Sequence, residues 1–419
     1  GEKLLRASGG NERIEKLVAT LKTRLTTAKK ETGCELAVWA SAADTQGDST
    51  SARITVLPCC STATWKVSLD AKAMQSWRQN FFEWQIAGGA AVQLLGLGRV
   101  NTNLAPPKKK GLFRRKDSVP ADCLGVAISG TTAHMVRVQI GDDGNPIIAA
   151  YDIQRLAGNT ETARATAIQE LLDRNEVDGL PIAATVAARH CISRYSEVPK
   201  FDNEKKQTAA VEFEAKHQIP FPLEGLCWDK YIGDENVTED LATIDVLLLA
   251  SRKEHIEETI ASFGDRASDV GLVQCDALAL QNWASTAWSG VNSVGKSRAV
   301  ISIGERETHV AVIGQSSPFH NTVSWGINDV RLTIEKQLEL NPKEVEVILR
   351  AASQAKRITP VAEAFEASYE DLVGQLRRSF TGFERASTGY KSVEEIVLMG
   401  EGCTLFGLAR YLRLNPPTE

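Results

Sequence analysis

Hydrophobic and polar positions alternate with period two through residues 122–129, 133–140 and 146–155, and the run Gly-Asp-Asp-Gly-Asn at 141–145 supplies hairpin turn chemistry between the last two. The period then lengthens. Residues 161–174 carry apolar positions at helical spacing, and the apolar run 181–187 reads as a buried strand. The predicted order is strand, strand, strand, helix, strand. Between the first two strands lies Ser129-Gly130-Thr131-Thr132, a loop of backbone N–H and hydroxyl donors suited to phosphate, yet without an acidic residue.

The same opening returns at 298–325. A shift of 175 positions lays Ile128 on Ile303, Ser129 on Gly304 and His134 on His309, and both copies run strand, glycine-containing loop, strand, turn, strand. Such a duplication predicts two lobes of like topology. His134 and His309 then read as matching structural positions in different lobes rather than as a proton relay or metal pair.

A further repetition links the two ends of the chain. Residues 4–21 and 395–412 superpose without a gap, with Gly9 on Gly400, Ile14 on Leu405, Leu17 on Leu408 and Leu21 on Leu412. Each reads as a short strand, a glycine turn and a helix with an apolar stripe. Two arrangements fit. In one, residues 1–105 are the C-terminal part of a first copy of a two-lobed domain, and 120–419 are a second copy lacking its terminal helix. In the other, the N-terminal segment supplies the missing tail in cis, as in a circular permutant. The first is the expectation, because two late elements would be redundant in one domain; the start at Gly1 rather than Met agrees with a piece of a longer frame or a processed chain.

Composition narrows the partners. The net charge of −5 and pI near 5.9 give no electrostatic footprint for nucleic acid. Eight cysteines show no CxxC or His-Cys spacing, so reduced thiols in a cytosolic protein are expected. No apolar run reaches the roughly 18 residues of a membrane span, and no secretory signal opens the chain. Residues 105–122 carry prolines at both ends and six Lys/Arg between them. This reads as a solvated linker at 106–119; the sharper reading is contact with anionic lipid, where each basic residue contributes about 1 kcal/mol.

The residues that narrow the fold are Glu214 to Tyr231, EAKHQIPFPLEGLCWDKY. A helix ending in Gln-Ile-Pro-Phe-Pro-Leu before an extended strand resembles the signature of the PilM family, the actin-like proteins of type IV pilus assembly related to FtsA and GspL. The flanking order RYSEVPKF, IDVLLLASRKEHIEETIASF and GLVQCDALALQNW is similar as well. The resemblance covers most of 120–412. It implies an α/β, actin-like (ribonuclease H-like) fold of two lobes with a small inserted α+β subdomain: 120–192 and 273–298 in the first lobe, 193–272 inserted, 299–419 in the second lobe. Residues 71–107, with Met74, Trp77, Phe81, Trp84, Ala91 and Leu95 at helical spacing, look like the family's closing helix, expected to be amphipathic and buried.

The resemblance also implies a nucleotide cleft, and here it is degenerate. The acid expected in the first loop is Ala127 and its glycine is Ser129; the second loop has Ser302 where its acid would stand; the late Gly-Gly turn is Gly400-Glu401-Gly402. Ser129, Gly130, Thr131, Thr132, Gly304, Gly400 and Gly402 remain as nucleotide-binding candidates. ATP could still be held without turnover, whereas Mg²⁺, which needs hard oxygen ligands, is not expected and no catalytic residue is assigned. Glu305 and Glu307 are nearby acids expected to face solvent.

By resemblance, the function is that of a cytoplasmic scaffold at the inner face of the inner membrane, in a pilus or related secretion machine. It would bind the tail of a PilN-like bitopic membrane protein between the first lobe and the inserted subdomain, with Ile219, Phe221 and Leu223 as apolar walls. The family's PilN tail presents Asn-Leu-x-Pro, which Asn103-Leu104-Ala105-Pro106 resembles. If 99–107 are extended, they would act as a built-in competitor or a clasp between copies. The alternative is an active cytoplasmic ATPase or sugar-kinase-like phosphotransferase, for which the sequence shows neither a catalytic acid nor a sugar pocket.

Overall fold

The structure, a computed structural model, describes residues 53–56, 65–69, 74, 84–107, 119–158, 160–175, 177–237, 242–288, 297–314, 318–354, 358–386 and 393–418. The N-terminal repeat at 4–21 and the basic run at 108–118 lie outside these residues. Among the described residues no helix is long and apolar enough to cross a membrane.

The first lobe forms from the alternating segments. Strands β3 (Asp122–Ser129), β4 (Thr132–Ile140) and β5 (Pro146–Arg155) make an antiparallel meander, and α2 (Glu161–Arg174), capped by the Thr160 side chain, leads to β6 (Ile182–Val186), parallel to β3. Beyond it lies β10 (Val270–Cys275) at one edge, and the short β2 (Lys66–Val67) extends the other, giving the order β10-β6-β3-β4-β5-β2. The second lobe repeats the plan with β11 (Ser297–Ile303), β12 (Thr308–Ile313), β13 (Phe319–Val323) and β14 (Val393–Met399). Residues of β11 are buried on both faces, which accounts for an unbroken apolar run instead of alternation.

The fifth strand of this second sheet comes from the other end of the chain. β1 (Arg53–Val56) runs parallel to β14, Ile54 opposite Ile396, and completes the order β1-β14-β11-β12-β13. Likewise α1 (Trp84–Leu94) packs against β3 of the first lobe and against α5 (Asp276–Ala287). The described part of 1–105 is thus built into both lobes of the 120–418 fold. β1 occupies the parallel edge of β14, and α1 fills the space over β3. Every residue from Trp84 to Gln93 is buried, so α1 is enclosed on all sides instead of amphipathic.

The inserted subdomain is a three-stranded antiparallel sheet, β7 (Cys191–Pro199), β9 (Ala242–Arg252) and β8 (Leu226–Val237), with β9 in the centre and α3 (Glu204–Gln218) on one face. Its residues 191–252 are fewer than expected, since α4 (Lys253–Ala261) and β10 belong to the first lobe's layer. Alternation sorts the faces. Leu226, Trp228, Val246, Leu248 and Ala250 pack under α3, while Cys227, Tyr231, Leu247 and Leu249 join the core of the first lobe. The second lobe's outer face is covered by α6 (Ile327–Leu338), α7 (Pro342–Ala351), α8 (Ile358–Ala386) and α9 (Leu408–Leu414).

Candidate functional site: an inter-lobe cavity and an occupied groove

The two glycine loops meet across a cavity of about 600 Å³ between the lobes. Gly130 turns β3 into β4 with φ +54°, a conformation few other residues tolerate. On the facing lobe, Gly304 N–H donates to the Glu307 carbonyl at 3.0 Å and closes the β11–β12 turn. Gly130, Gly304 and Gly400 all line the cavity. Gly402 instead packs against Ile303, where a Cβ would overlap the isoleucine side chain. Thr131 is exposed, and its carbonyl accepts the Leu156 N–H at 2.8 Å; Thr132 pairs with Ser129 in the ladder. The loop candidates therefore gather in part only.

The acids behave otherwise than their local spacing suggests. Glu305 and Glu307 both line the cavity, with side chains only 19% and 15% exposed. A Cβ on Gly130 would touch the Glu305 carboxylate, so that acid lies against the loop. Arg331 holds it there at 3.2 Å. Glu307 is paired with Arg189 at 3.3 Å. From the first lobe, Asp276 opens α5, its Oδ1 accepting the Ala277 N–H at 2.8 Å. His309 on β12 brings Nε2 to 3.6 Å from Asp276 Oδ2, and its Nδ1 bonds Thr322 Oγ1 at 3.0 Å.

Burial governs the electrostatics of this cluster. It pushes the Asp276 carboxyl up to about 7, against the pull of backbone N–H groups and Arg189. Burial, then the nearby Asp276 charge, raises Glu307; burial lowers His309. His134 does not join them. It sits in the first-lobe sheet with Nδ1 3.4 Å from Tyr151 Oη. Sequence reading missed Asp276 and Arg189; the one local signal for Asp276 is an acid where strand β10 passes into helix α5.

The edge of β10 and the inserted sheet form a groove along which residues 99–107 lie, with Val100, Thr102 and Leu104 buried and Asn101, Pro106 and Pro107 exposed. They run as non-helical chain along the free edge of β10. Leu104 N–H donates to the Val273 carbonyl at 2.9 Å, and Val273 N–H donates to Asn103 Oδ1 at 3.0 Å. Asn103 Nδ2 donates to the Gly271 carbonyl at 3.0 Å, while its N–H donates at 2.8 Å to Asp229 of the inserted sheet. Leu104 is 1% exposed and belongs to the same core as Val270, Val273 and Leu249. Just upstream, a buried network fixes the approach: Gln93 to the Thr102 carbonyl at 2.6 Å, Gln274 to Gln93 at 2.7 Å, and Asn282 bonded to both N–H and carbonyl of Val100.

Ile219, Phe221 and Leu223 do not line that groove. Ile219 is buried under α3 in the inserted subdomain's own core, Leu223 packs on the same core, and Phe221 is exposed beneath Arg252. The reason is the parity of the sheet: the segment after α3 covers the face opposite the first lobe.

Residues 154–417 match the family model described as type IV pilus assembly protein PilM. The chain belongs to the PilM family. Among solved structures, the PilM–PilN type IV pilus biogenesis complex matches this PilM-family chain with a TM-score of 0.55 and 22% identity, over 71% of this chain and 86% of that one. The ethanolamine utilization protein EutJ from Carboxydothermus hydrogenoformans matches at a TM-score of 0.39 and 12% identity, over 80% of this chain and 92% of that one. The fold is therefore actin-like, and the family assignment joins the IPFPL segment, the inserted sheet and the two lobes into one architecture.

Proposed function

We propose that this PilM-family chain is an actin-like scaffold that holds extended peptide, the cytoplasmic tail of a PilN-like bitopic protein, at the inner face of the inner membrane, with little or no ATP turnover. The observation that carries the reading is the groove beside β10: it takes a non-helical Asn-Leu-Ala-Pro segment by edge hydrogen bonds, an Asn-specific clamp and a buried leucine pocket. The solved relative, a complex of PilM with PilN, supports a partner of that kind. In this chain the groove is filled from within, so residues 99–107 act as a competitor for the partner's tail.

Low turnover is supported by the cavity's chemistry. Neither loop offers a carboxylate at Ala127 or Ser302 to order a metal-bound water, and Glu305 lies against Gly130. Two measurements test the reading. A labelled peptide carrying Asn-Leu-x-Pro is expected to bind the Leu104→Asp variant at least tenfold tighter than the unaltered chain, because a carboxylate leaves the leucine pocket and opens the groove. The milder Asn103→Ala is expected to shift binding in the same direction. Equal affinity in all three chains would exclude the competitor role. Calorimetric titration of ATP with and without Mg²⁺ is expected to give no tight complex, and tight Mg-ATP binding with phosphate release would restore the ATPase alternative.

A further inference from the structure

We propose that Asp276, Glu307 and His309 form a binding site for one divalent transition-metal ion, of the Mn²⁺ or Zn²⁺ type, that bridges the two lobes across the cavity. One ligand atom from each residue lies within 4.8 Å of the others. Asp276 comes from the first lobe at the start of α5, while Glu307 and His309 come from the hairpin of the second. The set is distinct from the two loop positions, which are Ala127 and Ser302 here.

The imidazole supplies the independent observation. His309 is 5% exposed, and the bond from its Nδ1 to Thr322 Oγ1 sets the ring orientation, as such a bond on the other ring nitrogen does for metal-binding histidines. Its Nε2 then points at Asp276 Oδ2 from 3.6 Å, beyond hydrogen-bond reach. Two ligands each about 2.1 Å from a shared ion stand roughly 3.0–3.4 Å apart at octahedral to tetrahedral angles, close to the separation observed. Arg189 bonds Oε1 of Glu307 at 3.3 Å.

Ligand chemistry selects the class. One imidazole and two carboxylates favour Mn²⁺, Fe²⁺ or Zn²⁺ over Mg²⁺, which prefers oxygen alone. All three residues line the inter-lobe cavity.

The test uses Mn²⁺, for which the chain's thiols compete poorly. The full chain, stripped with chelator and dialysed, is titrated with MnCl₂ while free Mn²⁺ is followed by electron paramagnetic resonance. One Mn²⁺ per chain is expected, displaced by an equal concentration of Zn²⁺, with no displacement by the same concentration of Mg²⁺. His309→Ala and Glu307→Gln should each weaken binding at least tenfold, and His217→Ala, on the exposed face of α3, should leave it unchanged. Glu307→Gln keeps shape and hydrogen-bonding capacity, so it decides the matter if the alanine variant does not fold. Absence of a stoichiometric site, or a site that survives both ligand substitutions, overturns the proposal.

Discussion

Single residues decide how the subdomains are latched. Tyr195 on β7 brings its hydroxyl 2.6 Å from His320 Nδ1 on β13 and accepts the His320 N–H at 2.7 Å, tying the inserted sheet to the second lobe. Burial holds His320 neutral and pushes its pKa down to about 3. In the unfolded chain the imidazole takes a proton below about 6.5. Between these values the unfolded state binds more protons than the folded one, so stability falls as pH drops through the window, by an amount on the order of a few kcal/mol. Denaturant titrations at pH 7, 5.5 and 4.5 should show a steeper loss for the unaltered chain than for His320→Gln. Tyr195→Phe removes a satisfied buried hydroxyl and leaves His320 without its partner; a loss of about 1–3 kcal/mol at pH 7 is expected in the same titration.

At the scale of elements, close approach of backbones positions the closing helix. A Cβ on Gly89 would overlap the Ala279 carbonyl of α5, and one on Gly125 of β3 would overlap the Ala87 carbonyl of α1. These two glycines let α1 lie between strand and helix with no side chain intervening. Gly89→Ala is expected to destabilise the chain by about 3 kcal/mol, since backbone must move to admit the methyl group. Gly382, on α8 with open space around it, gives the opposite sign: Ala there should stabilise by up to about 1 kcal/mol through helix propensity. Thermal unfolding of the two variants side by side checks both. The glycine run in 84–96 was visible as a helical pattern, but its enclosure was not. Periodicity reports one buried face, and the second face was covered only when α5 docked.

For the whole molecule, the N-terminal and C-terminal parts share one compact unit from Ala52 to Glu419. Removing 1–118 would strip β1 from the second sheet, α1 from between the first sheet and α5, and residues 99–107 from their groove. The remaining chain is expected to lose cooperative unfolding, and co-expression with 52–107 to restore it as a co-purifying complex. Circular dichroism melts on both preparations test this. An unchanged midpoint for 119–419 alone would show that the segment is dispensable.

Much of this architecture was written locally. The three alternating strands, the helix at 161–174 and the 175-residue duplication predicted two like lobes, because side-chain period and turn chemistry are properties of neighbouring residues. The segment before Pro220 identified the inserted subdomain for a similar reason: its helix, stop and strand are contiguous. What sequence could not decide was which pieces meet. The edge of β14 is completed by residues some 340 positions away, and nothing in Arg53–Val56 itself states whether its partner is in the same chain. Asn103-Leu104 stood out in the sequence, but what it meets did not: Asn103 bonds Asp229 on the near face of the inserted sheet, while Ile219 packs on the far one. Asp276 and His309 belong to different lobes, and local spacing assigned Glu307 to solvent; docking of the lobes alone brought the three within 4.8 Å of one another.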